Sequence, residues 1–342
     1  MQHNRPHILI ESNIPFIRGV FDDIAYVSYL APDEITPQSM RDTDALITRT
    51  RTRCDSRLLS GSRCSMIASA TIGLDHIDLD YCRDNGIEVT NAPGCNAPAV
   101  AQYVFAAILS AWSVERLPSL TIGIVGVGHV GRIVENWARN FGMNVLLNDP
   151  PRAISEKTDA FISLDDIASR ADIITIHTPY TTVGQYPTHR LFDDIRLRSL
   201  RRAPMLINAA RGPIVDNDAL CDAIDNGIVS HAVIDCWENE PAISRQLLEK
   251  AFIATPHIAG YSREGKLRAS RMAAEAVARH FGLTLPVPAE NVPMTPPAAV
   301  DAENITASYN PMADTEVLRS DPDAFERLRN HYYLRSEVTA RS

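Results

Sequence analysis

The chain has 342 residues, a formal net charge of −9, and 45% hydrophobic and 22% charged residues. That length predicts two or three packed units, and the composition is that of an ordinary soluble globular protein. The acidic balance argues against a general nucleic-acid or anionic-membrane binder, either of which wants a basic face.

Through the first 280 residues or so, short β-rich runs alternate with helical patterns. HILIE (7–11), ALITR (45–49), SMIASA (65–70) and IEVTNA (87–92) read as strands, most of them followed by turn residues and an amphipathic stretch. A second series follows in TIGIVGV (121–127), NVLLND (144–149), ADIITIHT (171–178), MLINAA (205–210), HAVIDCW (231–237) and FIATPHI (252–258). Near-continuous apolar strands with helical crossovers predict parallel sheets covered on both faces, and two series predict two α/β units. APAVAQYVFAAILSAW (97–112) reads as a helix bridging them, and SREGKLRASRMAAEAVARHFG (262–282) as one that returns to the first. LTLPVPAENVPMTPPAAV, beyond Gly282, reads as a proline-rich linker. DPDAFERLRNHYYLRSEV (321–338) then predicts a helix with Asp321 as its cap and Pro322 in first position.

The cysteines at 54, 64, 82, 95, 221 and 236 form no C-x-x-C pair and show no metal-ligand spacing. They are expected to be reduced thiols, and no metal is called for. MQHNRPHILIESNIP contains no apolar leader, and no run of about 18 apolar residues occurs, so a cytoplasmic protein is expected.

Within TIGIVGVGHVGRIVENWARNFG a strand runs into Gly126-x-Gly128-x-x-Gly131, and an amphipathic helix follows. The first glycine permits a tight turn and the second lets a pyrophosphate approach the backbone. The third allows close helix–strand packing, and the helix N-terminus offers N–H groups to phosphate. Alone, the pattern also fits a plain glycine-rich turn. Here NVLLND ends in Asp149, 18 residues after Gly131, where a carboxylate can accept both adenosine ribose hydroxyls and repel a 2′-phosphate. NAD is therefore favoured over NADP.

Oxidising a secondary alcohol needs a base for the hydroxyl proton, and an acidic substrate needs a cation for its carboxylate. Three residues lie at strand ends or just beyond: Arg211 in INAARGPIVD, Glu240 in DCWENEP and His257 in TPHIAGY. Carboxyl ends of parallel strands are where ligands sit in such sheets. Histidine can be the base, a neighbouring Glu can orient it, and Arg suits the carboxylate. Taken singly, Arg211 could equally tie down a turn, Glu240 could be a solvated loop acid, and His257 could be a satisfied polar group at a domain seam.

GIVGVGHVGRIV, LINAARGPIVDNDAL, VIDCWENEP and TPHIAGYSREGK resemble signatures of the D-isomer-specific 2-hydroxyacid dehydrogenase family. ATIGLDHID, NAPGCNAPAV, NDPPRA, IHTPYTTVGQYPTHRL and HIAGYSREGKLRAS narrow the resemblance to the subgroup that oxidises 4-phospho-D-erythronate on the way to pyridoxal phosphate. The resemblance covers residues 7–282 and resumes in the last predicted helix. It implies a Rossmann-type NAD domain (97–258) inserted in a flavodoxin-like substrate domain (6–96 and 259–283), with 284–342 as a dimerisation segment. Arg211 would bind the carboxylate, His257 would be the acid–base and Glu240 its partner. NAD would lie against Gly126, Gly128, His129, Val130, Gly131, Asp149, Thr178 and Gly260, with Asp235 on the nicotinamide amide. Arg49, Thr50, Thr71 and Tyr261 would contact substrate, and the enzyme would be a homodimer. The middle of the subgroup's C-terminal region is missing here, and Gln102 stands where the wider family commonly has Glu. Competing readings are a dehydrogenase for another small 2-hydroxy acid such as 3-phosphoglycerate, or an NAD-sensing corepressor that works by binding partners.

LITRTRTRCD (46–55) places three arginines at alternate positions. With ALIT as a strand, Arg49 and Thr50 fall at its carboxyl end, where a substrate phosphate needs cationic or N–H partners. Arg51 is a weaker candidate for the same role, and Arg53 is expected to face water.

Overall fold

The computed structural model describes residues 5–286, 292–293 and 297–338. The chain divides into two compact units, Met1–Asn96 with Arg263–Met294 and Ala97–Ser262 with Thr295–Ser342.

In the first unit, five parallel strands run in the order β2-β1-β3-β4-β5: β1 (His7–Glu11), β2 (Tyr26–Leu30), β3 (Ala45–Thr48), β4 (Met66–Ser69) and β5 (Glu88–Thr90). Every residue of β3 and β4 is buried, which explains why they are apolar up to the closing Thr48 and Ser69. Period-two alternation sends Ile8, Ile10 and Ile47 toward Ala273, Ala274 and Val277 of the helix Arg263–Phe281. Leu9, Leu46 and Ile67 point the other way, onto Met40, Leu58 and Cys82. β2 was not anticipated. It is an edge strand with no fully buried residue, so YVSYL lacks the apolar signal and is defined by its pairing from His7↔Tyr26 to Glu11↔Leu30.

The second unit has six parallel strands in the order β11-β10-β9-β8-β6-β7: β6 (Thr121–Val125), β7 (Asn144–Asn148), β8 (Ile173–Ile176), β9 (Met205–Asn208), β10 (His231–Ile234) and β11 (Ile253–Ala254). The helix Ala97–Ala111 is apolar almost all round because it is buried almost all round, and it packs on the helix His129–Asn140. Phe105 meets Trp137 there at 5.8 Å between ring centroids.

Both sheets have a point where strand order reverses, between β1 and β3 in the first unit and between β6 and β8 in the second. The crevice outside the carboxyl ends at such a reversal is the usual ligand site of an open parallel sheet.

The C-terminal region departs from expectation. Instead of one helix over 321–338 there is a short turn, Pro322–Ala324, and a helix, Phe325–Asn330, followed by irregular chain. Asp321 makes no side-chain cap to that turn. Two earlier helices, Ala302–Ser308 and Pro311–Ser320, are capped by Asp301 and Asn310. Rather than a separate arm, the segment packs on the second unit: Ile305 and Tyr309 join one of its cores, Leu318 and Phe325 the other. In the irregular chain past Asn330, Tyr332 donates to Asp314 and Arg335 to Gln102. Residues 259–262 also belong to the second unit, and the return begins at Arg263. Of the predicted linker, 287–291 and 294–296 lie outside the described residues. All six cysteines are buried and free of disulfides. No helix among the described residues is long and apolar enough to cross a membrane.

Candidate active site

At the carboxyl end of β6, Gly126 adopts φ +88°, and a Cβ on it would lie 2.8 Å from the His177 carbonyl carbon and the Thr178 nitrogen. A Cβ on Gly131 would lie 2.2 Å from the Gly126 carbonyl oxygen, so the third glycine sets how closely helix meets strand. Gly128, which precedes His129 and Val130 at the start of the helix, has nothing within 4 Å of a Cβ position. Such open space beside helix N–H groups suits a pyrophosphate. Across the sheet reversal, Thr178 Oγ1 is buried with no partner among the described residues, a group awaiting a ligand. The neighbouring His177 is a different matter. Burial pushes its ring down to about 3, and it bonds Thr175 Oγ1 at 2.9 Å, so it is a neutral structural group.

Asp149 caps the helix Pro150–Glu156, with Oδ1 accepting from Arg152 N–H at 3.1 Å and Oδ2 from Val127 N–H at 2.8 Å. These bonds fix the carboxylate at the end of β7 and leave lone pairs for further donors. The residues present thus fit NAD. Alanine at Gly128 should leave the melting temperature unchanged yet weaken NADH binding, because the methyl meets only the ligand. An overpacking cost of about 1–3 kcal/mol corresponds to roughly 5–150-fold in Kd, measured by fluorescence titration. Alanine at Gly131 should instead destabilise the fold.

Arg211 follows β9, and its carbonyl accepts from Asn208 Nδ2 at 3.0 Å while its Nη1 donates to the Ala210 carbonyl at 2.7 Å. Next to it, a Cβ on Gly212 would fall 1.9 Å from the Trp237 carbonyl oxygen, so the β9 turn and the loop after β10 lie backbone to backbone. That contact brings Arg211 to the Glu240 loop. Arg211, Glu240 and Arg329 all act electrostatically on the buried Cys236 thiol, which burial pushes well up.

His257 sits in the left-handed region at φ +56°. A non-glycine residue there costs on the order of 1–3 kcal/mol unless its surroundings impose it. Asp235 imposes it. At 1% exposed, its Oδ1 accepts from Thr255 Oγ1 at 2.7 Å and Ile258 N–H at 2.7 Å, and Ala259 N–H reaches both oxygens at 3.0 Å. Its main-chain carbonyl also takes the His257 N–H at 2.9 Å. Burial pushes the Asp235 carboxyl up, against the opposing pulls of His257, Thr255 and the two N–H groups. Both Asp235 oxygens thus hold residues 255–259, and as with Asp149 the carboxylate keeps lone pairs for a further donor such as the expected nicotinamide amide. What the structure shows it doing is setting the loop that carries His257.

His257 Nδ1 lies 2.9 Å from Glu240 Oε2 and 3.1 Å from Oε1, and Oε1 also accepts from Trp237 N–H at 2.9 Å. Burial alone would push Glu240 up, but its bonds to His257 and Trp237 and the Arg329 charge outweigh it and hold the carboxyl below its ordinary value. An ionised carboxylate can only accept, so Nδ1 carries the proton and Nε2 is left for a substrate hydroxyl. Gly260 follows in the same turn, and Tyr261 N–H donates to the Ile258 carbonyl at 2.8 Å.

In the first unit, Glu11 ends β1 fully buried at the sheet reversal. Its Oε2 accepts from Thr48 Oγ1 at 2.7 Å, Arg49 N–H at 3.0 Å and Thr52 Oγ1 at 3.0 Å, folding residues 48–52 around one oxygen. Arg49 Nε is buried without a partner among the described residues, and Thr50 is exposed beside it. Thr71 Oγ1, past the end of β4, bonds Ser69 Oγ at 2.8 Å and the Gly73 carbonyl at 3.2 Å. Arg51 is exposed, and Arg53 pairs with Asp55 at 3.3 Å on the surface. Sequence reading missed Glu11, whose one signal was an acid closing an apolar strand. It also missed Arg329, 3.7 Å from Glu240 Oε2, for which no local signal exists.

Residues 105–259 match the family described as D-isomer specific 2-hydroxyacid dehydrogenase, NAD binding domain. Over 344 aligned residues the chain is 47% identical to an erythronate-4-phosphate dehydrogenase of Bacteroides thetaiotaomicron, covering 97% of each. The C-terminal region, short against the expected pattern, is therefore matched in length by that relative. An erythronate-4-phosphate dehydrogenase of Chromohalobacter salexigens is 42% identical over 278 residues, 81% of this chain and 73% of that protein. Among solved structures, D-lactate dehydrogenase of Aquifex aeolicus with NAD and lactic acid superposes with a TM-score of 0.68 at 27% identity, over 80% of this chain and 96% of that one. The chain belongs to the NAD-dependent D-isomer-specific 2-hydroxyacid dehydrogenases, in the branch of the erythronate-4-phosphate dehydrogenases.

Proposed function

We propose that the chain oxidises 4-phospho-D-erythronate to (R)-3-hydroxy-2-oxo-4-phosphooxybutanoate, as a cytoplasmic homodimer serving pyridoxal 5′-phosphate formation. The observation that carries the chemistry is the His257–Glu240 pair, with Nδ1 of the imidazole held by a carboxylate and Nε2 left over. The choice of substrate is supported by the name of the full-length Bacteroides relative.

NAD, which Gly126, Gly128, His129, Val130, Gly131, Asp149, Thr178, Asp235 and Gly260 would hold, would supply the acceptor for the hydride that leaves C2 of the substrate. His257 Nε2 takes the proton of the C2 hydroxyl, and Glu240 stabilises the imidazolium that forms. Arg211 grips the carboxylate with its planar fork and polarises the carbonyl as it develops. Tyr261 donates its hydroxyl to the substrate. The substrate domain, 6–96 with the returning helix, contributes Arg49, Thr50 and Thr71, with Arg49 and Thr50 assigned to the phosphate. Arg51 is the second cation there.

The direct test is NADH formation with 4-phospho-D-erythronate, 3-phosphoglycerate and D-lactate side by side. No turnover of the first with turnover of either other would sink the substrate assignment. Arg49→Ala should raise KM for the phosphorylated substrate by about 10–100-fold, the range for a lost charge-assisted hydrogen bond. Equal effects on a non-phosphorylated analogue would return Arg49 to the surface. Light scattering in solution checks the dimer.

A further inference from the structure

The segment from Phe325 onward reaches the catalytic loop through several independent contacts. Arg329, in the helix Phe325–Asn330, places Nη1 3.7 Å from Glu240 Oε2 and 4.0 Å from Glu326 Oε1, and its guanidinium bonds the Tyr261 side chain. Tyr332 meets the Tyr261 ring edge-on at 6.2 Å. Arg335 is only 6% exposed, and Nη1 donates to the Ile258 carbonyl at 3.1 Å. Its Nη2 serves the carbonyls of Ala99, at 3.1 Å, and Ala259, while its carbon Cζ stacks 4.1 Å over the Tyr309 ring. Gln102 completes the socket. It accepts from Arg335 Nε at 3.3 Å and donates to Ser308 Oγ at 2.7 Å and to the Ser336 carbonyl at 3.1 Å. Ser262 Oγ donates to Glu337 Oε1 at 2.7 Å. Asp235 thus holds the loop after His257 through its N–H groups, and Arg335 holds the same two residues through their carbonyls.

We infer that Arg329 is a positioning residue for the Glu240–His257 pair and that Arg335, seated in the Gln102 socket, fixes the loop on which His257 is carried. A buried, planar guanidinium bonding several carbonyls is a geometric clamp that an ammonium cannot reproduce. Arg329 shares Glu240 Oε2 with the imidazole, so it limits how the carboxylate can rotate and opposes a second positive charge beside it. The charged and titratable groups facing this pair are Asp235 beneath the loop, Cys236, Arg211, Tyr261, and Arg329 with Glu326 from the C-terminal helix. Removing the guanidinium leaves Glu240 to the imidazole alone. The imidazolium then persists to higher pH, and the neutral base needed for oxidation appears only there.

The inference rests on His257 being the acid–base, so the test measures pH profiles of kcat/KM for wild type, Arg329→Gln, Arg329→Lys and His257→Ala, with NADH titrations on each. Arg329→Gln should bind NADH as wild type does, lose roughly tenfold in kcat near neutrality, and move its acid limb up by about 0.5–1 pH unit. Arg329→Lys keeps the charge and should restore the limb but not the full kcat. An Arg329→Gln profile that overlays the wild type, with His257→Ala inactive, overturns the inference alone. A His257→Ala enzyme that keeps its rate overturns the reading of the site and this inference with it. Should Arg329→Gln fail to fold, an Arg329→Lys limb displaced by about half a unit or more overturns the charge argument.

Discussion

His257→Ala is expected to lower kcat by about 10²–10⁴-fold, the usual contribution of a positioned acid–base, with NADH affinity unchanged. The separation follows from the architecture. His257 stands after β11, while most residues assigned to NAD, the glycine turn, Asp149 and Thr178 among them, stand at the ends of β6, β7 and β8. Gly260 would serve it through backbone that the substitution leaves in place. Alanine is no better suited than histidine to φ +56°, so the backbone cost carries over and the four hydrogen bonds of Asp235 still impose the turn. His257→Asn, which tolerates left-handed backbone more readily, should be as inactive and somewhat more stable. Inactivity in both variants separates loss of the base from loss of the loop. A near-normal rate for either between about pH 6 and 9 would remove His257 from the proton transfer.

Gly212→Ala should be severely damaging. The added Cβ would meet the Trp237 carbonyl oxygen at 1.9 Å, its carbon at 2.0 Å and the Glu238 nitrogen at 2.6 Å. All three are backbone atoms, so no rotamer change relieves the clash, and either the Arg211 turn or the 237–240 loop must move. Overpacking of this kind costs about 1–3 kcal/mol and occasionally more. The functional loss should exceed that, because the Trp237 N–H bond to Glu240 and the placement of Arg211 shift together. A misplacement of about 1 Å is enough for a hundredfold fall in kcat/KM. Urea unfolding and steady-state kinetics on one preparation check both effects. Wild-type stability with wild-type kcat/KM would show that the two loops need no such contact. Gly128→Ala is the matched control, since its methyl meets open space in the protein and costs only ligand affinity.

The two predictions rest on residues the sequence marks and on contacts it does not. The Gly126-x-Gly128-x-x-Gly131 turn is legible because backbone sterics decide it: a Cβ at 126 or 131 collides with main chain a few ångströms away. The buried strands are legible because a strand covered on both faces is mostly apolar, as β3, β4, β8 and β9 are, each with a single polar residue. Arg211, Glu240 and His257 could be singled out because each polar residue follows directly on such a strand or the loop after it.

Position along a strand could not say what a side chain touches. Asp235 reads as one more polar residue at a strand end, yet its oxygens are occupied by residues 20–24 positions later, at 255–259. Glu11 looks like the last residue of a short strand, and only the β1–β3 pairing puts its carboxylate under Thr48, Arg49 and Thr52. β2 escaped because an edge strand keeps no fully buried residue to mark it. The cap-and-proline start at Asp321 and Pro322 says nothing of where the last helix ends, and Tyr332 and Arg335 beyond it bond Asp314 and Gln102 earlier in the chain.

By itself, then, the sequence determined two α/β units, a dinucleotide turn and a base–acid–arginine set, since these depend on periodicity, backbone sterics and residue chemistry at neighbouring positions. Tertiary structure alone decided how the set is held. Gln102 and Arg335 stand 233 residues apart and meet in one buried hydrogen bond, and Arg329 reaches Glu240 from a helix 89 residues further along the chain. A buried polar group must find its partner wherever the fold brings one, and that partner's distance along the chain leaves no trace in local pattern.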